Sequence, residues 1–137
     1  RKRRLLCSPA FDPNVVSITL HPGMPLKFFD TLLSVQPHGI VLRAYGLGML
    51  PDELFPWVRK VTERKIPLLI TSQLLRGYID LHLYRKQLTL EQLGVISGKD
   101  MTYECAVVKL MWALTQAKNP RRLRELLERN LVGEMEG

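Results

Sequence analysis

A chain of 137 residues, 46% apolar and 24% charged, has the size and composition of one globular domain with its own core, and is too apolar for a disordered one. No apolar run approaches the roughly 18 residues that cross a bilayer, and no signal-peptide pattern opens the chain. The net charge is +7, but Arg1, Lys2, Arg3 and Arg4 carry four of those charges, so the rest of the chain is only mildly basic. A basic arm can meet nucleic acid or anionic lipid. This one has no interleaved aromatic residue and so no stacking platform; it reads as a solvated linker, with neither nucleic acid nor a membrane expected as partner. Cys7 and Cys105 are isolated in sequence, which argues against a metal site and fits a reducing compartment. An opening Arg1 rather than methionine is what a fragment or a processed product would show.

In chain order, residues 1–14 are linker, with Pro9, Asp12, Pro13 and Asn14 after the basic run. The β-branched run 15–20 predicts a strand, broken by His21-Pro22-Gly23. Pro25 suits a first helical turn, and Leu26, Phe29, Leu32 and Leu33 follow at helical spacing. Residues 39–44 predict a second strand, and Tyr45-Gly46-Leu47-Gly48 a turn. Asp52 and Glu53 favour a helix start, Pro56 makes its first turn irregular, and Leu54, Trp57, Val58 and Val61 form its apolar stripe. Residues 67–71 predict a third strand, apolar on both faces as in a covered parallel sheet.

Beyond Ser72 the pattern weakens. A short strand is expected near Tyr78–Leu81, a short helix capped by Thr89 and running to Leu93, and an extended segment at Val95-Ile96. Thr102 with Glu104 starts a helix to about Gln116, apolar almost all round and therefore expected to be central and buried. Asn119-Pro120 caps a last amphipathic helix with Leu123, Leu126, Leu127 and Leu131 inward. Alternating strands and helices imply an α/β domain over 15–137. The expected form is a Rossmann-like or flavodoxin-like three-layer fold, with about four parallel strands and helices on both faces. Ligands on such a sheet sit at the carboxyl ends of the strands, here His21, residues 43–49, 72–76 and 98–102.

The candidate chemistry on that edge is thin. Gly46-Leu47-Gly48 lacks the third glycine of a dinucleotide loop, and Asp52 and Glu53 oppose a phosphate, so a tight turn is the better reading. His21, His38 and His82 are scattered, with no partner at ligand spacing. Ser72 follows a strand but lacks the glycines of a nucleophile elbow and an evident base. Asp100 reads as a cap or dipole partner of the following helix. Arg76, beside Gln73, could grip a carboxylate with its fork. The residues alone name no reaction.

A longer pattern does. Residues 94–104, GVISGKDMTYE, running on to Lys109-Leu110-Met111-Trp112, resemble a signature near the end of type I L-asparaginases. Four more segments match in order: His21-Pro22-Gly23-Met24; residues 39–48; Ile66-Pro67 through Ser72-Gln73 to Arg76-Gly77; and Asn130-Leu131-Val132-Gly133-Glu134. The resemblance covers roughly 15–136. It implies the carboxyl-terminal domain of a cytoplasmic, oligomeric, cofactor-free amidohydrolase that converts L-asparagine to L-aspartate and ammonia. The family's threonine nucleophile lies in an amino-terminal catalytic domain, in T-G-G-T and H-G-T-D-T segments absent from this sequence, so no catalytic residue and no metal ligand is expected here.

The same resemblance makes Tyr45, Gly46, Gly48 and Met49 a loop that closes over the substrate, with Met49 where many members have asparagine. Arg43, Ser72 and Gln73 become an effector site for L-asparagine or L-aspartate, to which Arg76 adds the carboxylate grip that its own chemistry suggests. Leu74 replaces a family cysteine there, and Gln87 replaces a family glycine, implying a different local turn. Trp57 or the last helix would be a contact surface between subunits. Two other readings stay open: the related domain of an archaeal glutamyl-tRNA amidotransferase subunit, and a non-catalytic small-molecule binding domain.

Overall fold

Four parallel strands form one sheet in the order β1-β2-β3-β4, the order in which the chain makes them. They are β1 (Val15–Thr19), β2 (Gly39–Ala44), β3 (Leu68–Ser72) and β4 (Ile96–Ser97). The computed structural model describes residues 9–83 and 85–136. The basic run and Cys7 lie outside them, as does Tyr84. The helices are α1 (Leu26–Ser34), α2 (Phe55–Glu63), α3 (Arg85–Gln92), α4 (Tyr103–Gln116) and α5 (Pro120–Glu128).

Crossovers between parallel strands are almost always right-handed. A sheet ordered 1-2-3-4 therefore places every crossover helix on one face. So it is here: Phe29 and Leu33 of α1, Trp57, Val58 and Val61 of α2, and Leu90 of α3 share a core with Ile18, Ile40, Leu42, Leu68 and Ile70. The opposite strand parity, Val41, Leu69 and Ile96, is covered by Ala106, Leu110 and Ala113 of α4 and Leu123, Leu126 and Leu127 of α5. Four of the five helices are nine residues or shorter. Helices that short are marginal alone, so burial sustains them, at about 1.5–3 kcal/mol per large apolar side chain.

The helix starts expected at Thr102 and Asn119 form as capped ends. Thr102 Oγ1 accepts from Cys105 N, and Asn119 Oδ1 accepts from Arg122 N at 2.8 Å, with Pro120 in the first turn of α5. Asp52–Leu54 form a 3-10 turn before α2, the irregular start that Pro56 implied.

Several expectations are corrected. No strand forms at Tyr78–Leu81; Ile79 and Leu81 are buried individually, and the Asp80 carboxylate accepts from His82 N to turn the chain. Thr89 does not cap a helix: α3 starts at Arg85, and the Thr89 hydroxyl donates to Arg85 O inside it. The segment around Gln87 is this helix rather than a turn. α4 is not buried all round, because Val108 is 52% exposed while Ala106, Leu110 and Ala113 face the sheet. Leu131 lies past the end of α5. Trp57 is no surface contact: it is buried, its indole N–H donates to Phe29 O at 2.9 Å, and its ring meets Phe29 edge-on at 5.1 Å.

The tail locks onto α4. Lys109 Nζ meets Glu134 Oε1 at 2.6 Å with both side chains buried, and also donates to Arg129 O. The Glu134 carboxylate accepts from Leu131 N and Val132 N, Asn130 Oδ1 from Gly133 N, and Asn130 Nδ2 donates to Met135 O. Burial alone would raise the Glu134 pKa, but the Lys109 ammonium and the backbone N–H donors outweigh it and hold it at about 2, against an ordinary 4.5. A folded pKa below the unfolded one means stabilisation that is complete above about pH 4.5 and is lost as the pH falls toward 2. Urea unfolding across that window should show stability falling with acid, and Glu134→Gln should flatten that fall. An unchanged slope in the variant would remove Glu134 as its source.

Candidate functional site

The carboxyl edge carries the loop after β2. Tyr45 and Met49 form an antiparallel bridge, with Tyr45 N donating to Met49 O at 3.1 Å and Met49 N to Tyr45 O at 2.8 Å. Gly48 has φ +107°, a left-handed backbone that a side chain would strain. The loop carbonyls are then held from outside. Ser72 Oγ donates to Gly46 O at 2.7 Å. Gln87 Nε2 donates to Leu47 O at 3.0 Å, and Asp80 N donates to the same oxygen. With its carbonyls engaged, the turn presents Leu47 and Met49, both exposed, and Tyr45, half-buried.

On the α1/α2 side of this edge, Tyr45 lines a cavity of about 410 Å³ with His21, Met24, Phe29 and Glu53. It is a largely apolar recess with one carboxylate and one imidazole at its mouth.

The other side presents a different chemistry, and strand parity separates the two. Arg43 and Thr71 are register partners on β2 and β3, on the parity of Val41 and Leu69, facing α4. The Arg43 guanidinium lies 4.7 Å over the Tyr103 ring, a cation–π contact. Arg43 Nε and Thr71 Oγ1 are both buried, and neither has a hydrogen-bond partner among the described residues. Leaving buried polar groups unpaired costs free energy, and these two belong to register-paired residues at the carboxyl end of the sheet. Gly98 closes this corner. A Cβ there would sit 2.7 Å from Ile70 O and 2.9 Å from Thr71 Cγ2, so only glycine lets the β4–α4 turn approach so closely.

The predicted effector residues therefore separate. Ser72 faces away from Arg43, with its hydroxyl donating to Gly46 O and accepting from Leu74 N. Gln73 Nε2 donates to Leu20 O and Arg43 O, tying the ends of β1 and β2 together. Arg76 is exposed, with no hydrogen bond or ion pair among the described residues. Asp100 is not the cap of α4; its carboxylate accepts from Glu136 N and holds the tail. The histidines have separate partners: His38 meets Asp12 at 2.8 Å, His82 meets Glu91 at 3.5 Å, and His21 contacts Pro22 O. No metal-binding group of three is found among the described residues. Sequence reasoning does not single out Thr71, Tyr103 or Gln87 as site residues. Parity would have found Thr71, two positions after Leu69 on the same face.

The profile of the Glutaminase/Asparaginase C-terminal domain matches residues 14–127. This chain belongs to that family. It is 37% identical over 134 residues to an L-asparaginase of Thermococcus kodakarensis, covering 96% of this chain and 40% of that protein. It is 34% identical over 138 residues to a glutamyl-tRNA(Gln) amidotransferase subunit of Methanothermobacter thermautotrophicus, covering 98% of this chain and 32% of that one. The solved thermostable L-asparaginase from Thermococcus kodakarensis superposes with a TM-score of 0.90 at 36% identity, covering all of this chain and 42% of that one. The chain thus spans about two-fifths or less of the length of these relatives. No helix of the described residues is long and apolar enough to cross a membrane.

Gln87→Leu keeps the volume of this buried side chain but removes its donor to Leu47 O. The expected loss is about 1–3 kcal/mol of stability, read as a lower urea midpoint at unchanged slope. A wild-type midpoint would show that the loop does not depend on this bond.

Proposed function

We propose that this chain serves as the carboxyl-terminal domain of an L-asparaginase, which hydrolyses L-asparagine to L-aspartate and ammonia. Its part is to supply the rim of the substrate pocket, while an amino-terminal catalytic domain supplies the nucleophile. The observation that carries this reading is the 45–49 loop, fixed by Ser72, Asp80 and Gln87 at the carboxyl edge of the sheet. Amide hydrolysis through an acyl-enzyme needs an activated hydroxyl. Ser72, the hydroxyl at the end of strand β3, is instead engaged with Gly46 O. A fixed rim helps the reaction by holding substrate in place and keeping bulk water out. In this reading residues 1–14 join the two domains, the working protein is a cytoplasmic oligomer, and no cofactor takes part.

The effector role narrows to Arg43. Its guanidinium, stacked on Tyr103 beside the unpaired Thr71 hydroxyl, suits the carboxylate of L-asparagine or L-aspartate. Ser72, Gln73 and Arg76 are better read as support and surface. A second reading, a subunit that releases ammonia for a charged tRNA, is favoured by the 34% identity to the amidotransferase subunit.

The test is a chimera in which this chain replaces the corresponding domain of the Thermococcus kodakarensis L-asparaginase. It should release ammonia from L-asparagine, and Tyr45→Ala in that chimera should lower kcat/KM by about tenfold or more. A cooperatively folding chimera without activity would contradict the proposal. So would this chain hydrolysing asparagine on its own.

A further inference from the structure

At the amino edge of the sheet, the rim opposite the 45–49 loop, the chain forms an open cavity of about 630 Å³. Its walls come from the end of α2, the starts of β3 and β4, and the turn between α4 and α5. The floor is aliphatic, with Ile66, Ile96, Leu114 and Leu123. The rim is cationic, with Lys65, Lys118 and Arg121, and no aspartate or glutamate lines the cavity. A second recess of about 410 Å³ shares Lys118 and Arg121 and adds Arg122 and Glu125.

The charges there are unevenly matched. Glu125 is the one carboxylate of the two recesses, and it is shared by Arg121 and Arg122 at 3.2 Å each. Both arginines hold its pKa below the ordinary value. Lys65 and Lys118 have no ion pair among the described residues, so positive charge remains on the rim. Arg124 is part of the wall rather than a free cation: it bonds Glu128 and the carbonyls of Gly94 and Val95. Lys65 adopts a left-handed backbone, φ +59°, at the end of α2, a conformation that usually falls to glycine or asparagine. The amino-terminal turn of α5 opens onto the same space and adds its partial positive charge.

We propose that this cavity is a binding site for a phosphate group, carried by a small phosphate ester or by an RNA backbone. Two unpaired lysine ammonium groups on one opening, with the paired Arg121 beside them, match a compact multivalent anion better than a single carboxylate. No Phe, Tyr or Trp lines the cavity, so recognition rests on charge and aliphatic contact, and an attached base is not stacked. The volume falls within the range of small-ligand pockets. The site lies on the edge away from the proposed substrate rim, so an occupant would leave that rim open, and the proposal stands whether or not the asparaginase reading does.

The test titrates the full chain with pyrophosphate and, separately, with a short single-stranded RNA, following both binding and thermal unfolding. The variants are Lys65→Ala/Lys118→Ala/Arg121→Ala and, as a milder change, Lys118→Glu alone. Wild type should bind at least one probe, with affinity falling as salt rises. The triple variant should weaken that binding about tenfold or more while still unfolding cooperatively. Pyrophosphate binding would identify a free phosphate ester as the source, and binding of RNA alone would identify the backbone. If neither probe binds wild type at millimolar concentration, or if binding survives in both variants, the proposal is overturned.

Discussion

A parallel sheet must be covered on both faces, because strands apolar at every position cannot leave one face in water. Here the strand order puts every crossover helix on one face, so the chain has to return and cover the other. α4 does this with Ala106, Leu110 and Ala113, and α5 completes it. The Lys109–Glu134 pair then ties the tail to α4. Two buried charges are worth their desolvation only when paired and fully hydrogen-bonded. Backbone groups of residues 129, 131 and 132 complete that set.

Coverage of both faces gives the carboxyl edge two separate chemistries. Residues on the Leu42 and Ala44 parity look toward α1 and α2, where the 45–49 loop and its apolar recess lie. Residues on the Val41 parity look toward α4, where Arg43, Thr71 and Tyr103 meet. One strand therefore serves the 45–49 loop on one side and the Arg43, Thr71 and Tyr103 corner on the other. The amino edge, with its aliphatic floor and lysine rim, is a third and physically separate surface.

Much of this is legible in the sequence because local rules and tertiary packing agree there. β2 occupies the predicted residues 39–44, buried at nearly every position. The Asn119-Pro120 start of α5 follows from capping chemistry alone. The closing Asn130–Glu134 motif, which sequence gives only as a resemblance, satisfies its own backbone. Legibility fails where a residue's role depends on a distant partner. Ile79 and Leu81 read as a strand but are separate anchors in an irregular segment. Gln87 reads as a lost glycine, yet its amide reaches Leu47 across 40 residues. Ser72 and Arg43 read as one site until strand parity places them on opposite faces. The apolar circumference of α4 suggests complete burial, which Val108 does not have.

This chain holds the 45–49 loop in place by itself, before any other domain meets it. Amide hydrogen exchange of the chain alone measures that directly. Gly48 and Met49, whose N–H groups both donate to Tyr45 O, should exchange far more slowly than in an unstructured peptide, with protection approaching that of β2. Exchange of these two amides at the rate of free peptide would show that the rim forms only on contact with another domain, and would contradict the account.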